Sequence, residues 1–323
     1  MSDAVGAMRA ITVGVSDLNA ALKLFHDVMG LKIERREALS SERRRFYGLG
    51  AAVRGEWAEL SCQSYPIGRL RLLQLTPAPR AVVRLDTQMG GPDAPPAIGP
   101  KAIDFYVRPP IETTLAEMTA AGCTARSRPI RYVIGNTESE ELVLFGPDGV
   151  PLLLMIGHRH NPSSMRAGTP HGKYSEVPTI SVVAGDLAAT RRFYGDLLGL
   201  TALVDTEVSP EYRDFACTLV GIPPGSRIHY LMYQDPNEPS GKILLVHFFE
   251  LSTRRVAGLM HPSRLGVGLY THDCDDLDAL AARLRAGGAP IEADPARVDG
   301  EKLMLVRGPN GELFEFSERA PAR

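Results

Sequence analysis

The sequence TISVVAGDLAATRRFYGDLLGL, residues Thr179 to Leu200, predicts a strand, a capped helix and a helix stop in immediate succession. The β-branched residues that open the segment indicate a strand. Asp186 stands at the N-cap position, and the apolar residues after it recur at the three-and-four spacing of a helix with one apolar face. Gly199 ends the helix, as a residue in the left-handed conformation does. The segment therefore predicts one β-α unit with defined ends.

The same pattern occurs near the N-terminus in ITVGVSDLNAALKLFHDVMGL, residues Ile11 to Leu31, where Asp17 precedes its counterpart Asp186 by 169 residues. A second pair of similar segments begins at Gly146 and Gly308, 162 residues apart, each with a Gly-Pro-Asp/Asn-Gly turn before an apolar strand. Asp-Gly and Asn-Gly favour hairpin turns, because these residues adopt positive φ readily. Such repeats indicate that the chain consists of two similar halves.

The length and the charge of the chain exclude several classes of protein. Its 323 residues suffice for two domains, and its formal net charge is −2 without a Lys/Arg run, which argues against a nucleic-acid or membrane-surface partner. The four cysteines are widely spaced, so neither a zinc ribbon nor a disulfide framework is indicated. The sequence shows neither the pattern of a secretory leader nor an apolar run of membrane-spanning length, so we expect a cytoplasmic protein.

Each half contains the order strand, helix and three further strands twice, so the chain is predicted to have four βαβββ units. The limits of some strands stay open. One strand lies within Phe46 to Trp57, and another is either Phe215 to Gly221 or Arg227 to Tyr233. The Pro/Gly/Ala-rich stretch from Thr76 to Pro100 predicts a linker between units one and two.

The segment between His158 and Val177 has no hydrophobic periodicity and is rich in His, Pro, Ser and Gly. Such composition is typical of a domain boundary. We therefore predict an N-terminal domain of units one and two (1–160), a linker (161–175) and a C-terminal domain of units three and four (176–323).

The pattern Asp-Leu, Phe-Tyr, Asp and Leu-Gly-Leu in Asp186 to Leu200, followed by Gly-Pro-Asn-Gly-Glu-Leu-Phe-Glu-Phe at Gly308 to Phe316, resembles the vicinal oxygen chelate superfamily. That superfamily includes glyoxalase I, extradiol ring-cleaving dioxygenases, methylmalonyl-CoA epimerase and bleomycin-resistance proteins. The resemblance implies an α+β fold, in which each pair of βαβββ modules forms a cup-shaped open β-barrel domain. Each cup then holds a small ligand.

The resemblance also implies a divalent metal (Fe, Mn, Zn or Ni) held by His and Glu from the first and last strands of the units. Such ligands leave coordination positions open for substrate oxygens. In the N-terminal cup these positions fall on Ala10, Arg71, Ala102 and Leu153, which offer no suitable donor set. We therefore expect that cup to be metal-free, and Arg71 would suit a substrate carboxylate or phosphate if it points inward.

In the C-terminal cup the matching positions include Thr179, His247 and Glu315, and we expect His247 and Glu315 to be the polar centre. Two arrangements stay open. Either these two residues and a third group, His229 or His272, hold a metal, or they act without a metal as acid and base. A core histidine and a solvent-facing glutamate are the plainer alternatives.

The resemblance predicts an enzyme that acts on a small aromatic or oxygenated hydrophobic substrate in the C-terminal cup, by dioxygenase-, lyase- or isomerase-like chemistry. Thr179, Arg71 and Tyr270 are the predicted substrate contacts. The alternatives are a binding protein of the bleomycin-resistance type without catalysis and a metal-free interaction module. A homodimer is compatible with either.

Overall fold

The computed structural model describes residues 5–78, 96–134, 137–159, 172–255 and 260–319. These residues form a mixed α+β fold in which helices pack on two extended β-sheets, as the sequence predicts. Within the described ranges, no helix is long and apolar enough to cross a membrane.

The first two units supply the following elements in chain order: β1 (Val5–Val15), α1 (Leu18–Leu22, continued by a π-helical turn, Lys23–Val28), β2 (Lys32–Ala38), α2 (Ser41–Phe46), β3 (Arg54–Ser61), β4 (Arg69–Thr76), β5 (Ala97–Tyr106), α3 (Ile111–Ala120), β6 (Thr124–Ala125), β7 (Ile130–Ile134), β8 (Thr137–Phe145) and β9 (Pro151–Gly157).

The last two units supply these elements: β10 (Thr179–Val183), α4 (Leu187–Arg191, continued by a π-helical turn, Arg192–Leu197), β11 (Thr201–Glu207), α5 (Pro210–Val220), β12 (Ile228–Gln234), β13 (Lys242–Phe248), β14 (Arg254–Arg255), β15 (Gly266–Cys274), α6 (Leu277–Ala286), β16 (Ile291–Val298), β17 (Glu301–Arg307) and β18 (Leu313–Glu318).

The helix signals of the repeated segment are confirmed. The Asp17 side chain accepts a hydrogen bond from the Ala20 amide (3.0 Å), and Asp186 accepts one from Ala189 (2.9 Å), so both aspartates cap their helices. Gly199 has a φ of 72°, a backbone conformation that stops a helix and that glycine adopts without strain.

The repeat does not predict which units share a sheet. The eight-stranded sheet has the order β16-β17-β18-β15-β1-β4-β3-β2, so β1 lies antiparallel to β15 and unit one joins unit four. The ten-stranded sheet has the order β11-β12-β13-β10-β5-β9-β8-β6, with β14 beside β5 and β7 beside β8 off this path, so unit two joins unit three through β5 and β10.

The predicted pairing of unit one with unit two and of unit three with unit four is therefore wrong. A repeat identifies the units, but all four first strands carry similar apolar patterns, and such patterns do not select which of them pair. Residues 79–95 and 160–171 lie outside the described ranges, so the predicted linkers at Thr76 to Pro100 and 161–175 fall largely outside them, and the linker at 161–175 stays a prediction.

Helices α2 and α5 replace two predicted strand segments. Residues Phe215 to Gly221 belong to α5 instead of a strand, whereas the alternative strand Arg227 to Tyr233 matches β12. Phe46 ends α2, and β3 begins only at Arg54. Both helices lie between the second and third strands of their unit and cover one face of a sheet. We call the face of the eight-stranded sheet that α2 covers the α2 face.

Candidate functional site

Glu315 lies at the centre of the α2 face. Strand alternation places it on the opposite side of β18 from the buried Phe314 and Phe316, and its side chain is fully buried. Its carboxylate accepts hydrogen bonds from the Tyr47 hydroxyl (2.8 Å), the Thr271 hydroxyl (3.1 Å) and Arg71 Nη1 (3.3 Å). Units one and four therefore meet at one buried carboxylate.

Arg43 brings a second cation to the same carboxylate from helix α2. Its Nη1 lies 3.5 Å from Glu315 Oε2, while Nε and Nη2 donate to Asp299 (3.1 Å) and Glu301 (2.6 Å) at the rim of the sheet. The Ser40 hydroxyl accepts a hydrogen bond from the Arg43 amide (2.9 Å), which caps the helix. The cap thus holds Arg43 in register with unit four.

Arg71 connects Glu315 to a second buried carboxylate, Glu59. Its Nη2 donates to Glu59 Oε2 (3.1 Å), and its guanidinium carbon lies 4.8 Å from the centroid of the Trp57 ring. On the outer side, Arg35 lies over the same ring at 4.3 Å and pairs with Glu59 at 3.4 Å. The network therefore runs from the surface to the buried Glu315.

The charges of this network are fixed at neutral pH. Burial alone would raise the pKa of Glu315, but Arg43 and Arg71 favour its charged form and hold the pKa below the usual range. For Glu59, the same opposition of burial and guanidinium groups gives a pKa of about 2. Burial and the Glu315 charge raise the pKa of Tyr47, which stays protonated. Glu315 is thus an ionised carboxylate and a weak general base.

Three donors on the α2 face make no hydrogen bond within the described part of the chain, although one of them, Arg43 Nη1, forms the 3.5 Å ion pair with Glu315. Thr12 Oγ1, Arg43 Nη1 and Arg71 Nε are buried and make no hydrogen bond with any described residue. Thr12 is the register partner of Arg71 on the neighbouring strand, so two of the three groups are adjacent. Because an unmet buried donor costs free energy, these groups are suited to a ligand oxygen.

Residues 176–316 match the family model of the Glyoxalase/Bleomycin resistance protein/Dioxygenase superfamily. This part of the chain belongs to that superfamily. The membership confirms the resemblance inferred from the repeated segment and the Gly-Pro-Asn-Gly turn. A comparison of the sequence with curated proteins gave no match.

Solved structures with a similar fold cover almost the whole chain. Glyoxalase I from Zea mays is 15% identical, with 97% of this chain and 92% of that chain covered and a TM-score of 0.62. A putative dioxygenase from Bacillus subtilis subsp. subtilis str. 168 is 10% identical, with 99% and 87% covered and a TM-score of 0.61. At these identities the likeness shows the fold alone.

Of the predicted site residues, the structure brings Arg71 and Glu315 together and places the two histidines elsewhere. His247 lies on β13 of the ten-stranded sheet, where its Nδ1 forms a hydrogen bond with the carbonyl oxygen of Ala184 (3.0 Å). Its register partner His229 forms a hydrogen bond with Asp205 through Nε2 (2.7 Å). The predicted set of His247, His229 and Glu315 is therefore not assembled in this fold.

The two remaining predicted substrate contacts also lie away from Glu315. Thr179 is buried on β10 beside Lys242, in the ten-stranded sheet. Tyr270 shares β15 with Thr271 but faces the other side, where its ring lies 5.8 Å from that of Phe314. Their role as substrate contacts stays a prediction.

Members of the superfamily commonly use a divalent metal, and the strand positions that would hold it can be read from the register. Thr12 lies opposite Arg71 and Thr271 opposite Glu315, so the first-strand positions in this sheet are these threonines, and Ala10 is not the position in unit one. One carboxylate between two guanidinium groups does not fit a divalent cation. No group of three His, Cys, Asp or Glu among the described residues fits one either.

The ten-stranded sheet holds its own buried polar cluster. Asp104 accepts hydrogen bonds from the Ser181 hydroxyl (3.2 and 3.3 Å), and Glu141 accepts one from the Tyr132 hydroxyl. Burial lowers the pKa of the nearby Lys101 to about 8 and raises the pKa of both carboxyls. The pKa of Lys101 and the pKa values of the two carboxyl groups thereby move toward each other. Ala102 and Leu153, which we assigned to one cup with Arg71, belong to this sheet instead.

Sequence reasoning missed Arg43 and Tyr47, because they lie in and after a helix that was expected to be part of a strand or loop. The signal was present in the sequence. Ser40 followed by SERRRF offers an N-cap, an acidic residue in the first turn and basic residues in the last. The sequence does not identify the partner of Arg43, because Glu315 lies 272 residues further along the chain.

Proposed function

We propose that this chain is an enzyme of the superfamily that binds a small oxygenated molecule on the α2 face. Thr12, Arg43 and Arg71 would donate hydrogen bonds to one oxygen of that molecule. The observation that carries the proposal is the set of three buried donors that make no hydrogen bond to any described residue, beside an ionised Glu315. Two of them belong to guanidinium groups, which bind charged oxygens strongly.

The chemistry that suits this arrangement develops negative charge on a substrate oxygen. Donors that are already oriented in a site without water stabilise such an oxyanion, for example when a carbon beside a carbonyl loses a proton. Glu315 orients Arg43 and Arg71 and is too weak a base to take that proton itself, so the proton would pass to a hydroxide or buffer base from solvent. An isomerase- or lyase-like reaction of a carbonyl compound is therefore the reaction class we propose.

A small-molecule substrate and a reducing compartment belong to the same proposal. All four cysteines are free and buried, which supports a cytoplasmic location. Assembly into a homodimer stays a prediction.

The natural reporter for binding on the α2 face is Trp57, the single tryptophan of the sequence, since Arg71 lies against its ring. We expect benzoate to change Trp57 fluorescence in a saturable manner and Arg71→Met to weaken binding about tenfold or more, because a charge-assisted bond is lost. Arg35→Met is the matched control. Arg35 covers the same ring and pairs with the same Glu59, but is half-exposed and makes no contact with Glu315. Equal affinities of the two variants would refute the site.

Catalysis is tested separately from binding. We expect the protein to accelerate deuterium exchange at the carbon beside the carbonyl of 2-hydroxyacetophenone in D₂O, followed by proton NMR, and Arg71→Met to abolish the acceleration. Benzoate binding without any exchange would support the non-catalytic binding protein instead.

Thr12→Val gives a prediction that does not depend on removing a charge. Because Thr12 Oγ1 has no partner among the described residues, valine should change the free energy of unfolding by less than about 0.5 kcal/mol. Benzoate affinity should fall about three- to tenfold, the worth of one hydrogen bond. Thr271→Val should behave oppositely: its hydroxyl donates to Glu315, so its loss should cost about 1.5–3 kcal/mol of stability. Thermal or urea unfolding separates the two.

A further inference from the structure

A second concave site lies between units three and four, away from the α2 face. It is a cavity of about 390 Å³ whose walls are the π-helical turn after α4, the turn from α6 into β16 and the turn between β17 and β18. None of its lining residues belongs to the Glu315 network. The volume is in the range of pockets for small organic ligands.

The charges around this cavity are of one sign. Arg192, Arg255 and Arg307 line it, and no carboxylate among the described residues does. Arg307 is already neutralised, because its Nε and Nη2 donate to Glu292 (2.7 and 2.8 Å). Arg255 donates only to the Pro309 carbonyl oxygen (3.0 Å), and the exposed Arg192 has no hydrogen bond or ion pair in the part of the chain that the structure describes. Two positive charges are therefore uncompensated.

The floor of the cavity is apolar and closely packed. Phe193 and Leu197 line it, and a Cβ atom at Gly287 would lie 2.4 Å from Leu197 Cδ2, so a larger residue there would displace the Leu197 side chain. The Phe193 ring is buried against Phe314 at 5.4 Å between centroids. An apolar floor beneath two unpaired guanidinium groups suits a ligand with an apolar body and an anionic end.

We propose that this cavity binds a small molecule that carries a phosphate or carboxylate on an aromatic or aliphatic body, with Arg192 and Arg255 on the anionic group and Phe193 and Leu197 against the body. Guanidinium groups match both anions through paired N–H donors. The site is separate from the proposed catalytic donors.

Phenyl phosphate is the probe, with its binding followed by phosphorus NMR and calorimetry, and phenyl acetate and inorganic phosphate as the other arms. We expect saturable binding of phenyl phosphate that weakens as salt rises. Phenyl acetate, which lacks the charge, and inorganic phosphate, which lacks the body, should bind about tenfold more weakly or not at all. Benzoate is also the probe of the α2 face, so only the part of its binding that Arg192→Ala removes tells whether the cavity prefers carboxylate or phosphate.

Arg192→Ala and Arg191→Ala are matched variants. The two arginines are adjacent and exposed, but Arg191 pairs with Asp205 (2.7 Å) and does not line the cavity. Arg192→Ala and Arg255→Ala should each weaken phenyl phosphate binding about tenfold, and Arg191→Ala should leave it unchanged. Equal affinity of all three variants, or no saturable binding by the folded protein, would overturn the proposal. Thr12→Val should not affect this binding, so its outcome is independent of the function proposed for the α2 face.

Discussion

Glu315→Gln should lower the free energy of unfolding by about 3–5 kcal/mol, the loss typical when one partner of a buried ion pair is removed. The substituted glutamine would keep the volume of the side chain but not its charge. Arg43 and Arg71, both buried, would then lose the anion that they share, and their remaining carboxylates lie nearer the rim and the surface. Urea unfolding followed by circular dichroism measures the change.

Glu301→Gln is the control for this prediction. Glu301 pairs with the same Arg43, at 2.6 Å, but its side chain is 37% exposed while that of Glu315 is 0% exposed. Water compensates an exposed charge, so we expect Glu301→Gln to cost less than about 1 kcal/mol. If both variants lose the same free energy, burial is not what makes the Glu315 network important.

A double variant separates charge imbalance from lost packing. Adding Arg71→Met to Glu315→Gln removes a cation together with the anion. The two changes should therefore cost less together than the sum of their single effects. Additive losses would mean that Arg71 and Glu315 do not stabilise each other, although they lie 3.3 Å apart.

The local structure of the repeated units followed from the sequence, because caps and turns act over a few residues. Asp17, Asp186 and Gly199 act as predicted. The pairing of units did not follow, since it depends on which first strands meet after the chain has folded back on itself. The contact of Ile11 with Tyr270 across β1 and β15 has no signal in either segment.

The candidate site was predicted only in part for the same reason. Burial of Glu315 in an apolar strand requires a compensating partner, and that expectation led to a cation, a metal or a hydrogen-bond donor. Arg71 was a candidate for an anion site, yet the two were assigned to different cups. His247 illustrates the opposite case, because its family position suggested a ligand beside Glu315, while β13 lies in the other sheet.

His272 is a residue from which we expect a large pH effect on stability. It lies on β15, is buried, and its Nδ1 forms a hydrogen bond with the Gly6 carbonyl oxygen of unit one (2.9 Å). Its Nε2 has no partner among the described residues, so a second proton would be buried without an acceptor. Burial accordingly lowers the pKa of His272 from its ordinary 6.5 to about 4.

Between these two pKa values the unfolded chain binds a proton at His272 that the folded chain does not. The contribution of His272 to the free energy of unfolding is therefore fully present above pH 6.5. It falls by about 3 kcal/mol as the pH drops toward 4. His272→Gln can still donate to the Gly6 carbonyl but does not titrate, so its unfolding free energy should change much less over the same window. The neighbouring Asp273, whose pKa burial raises, contributes in the opposite direction and is present in both proteins. If the urea midpoints of wild type and variant decline in parallel as the pH falls, protonation of His272 does not destabilise the junction of units one and four.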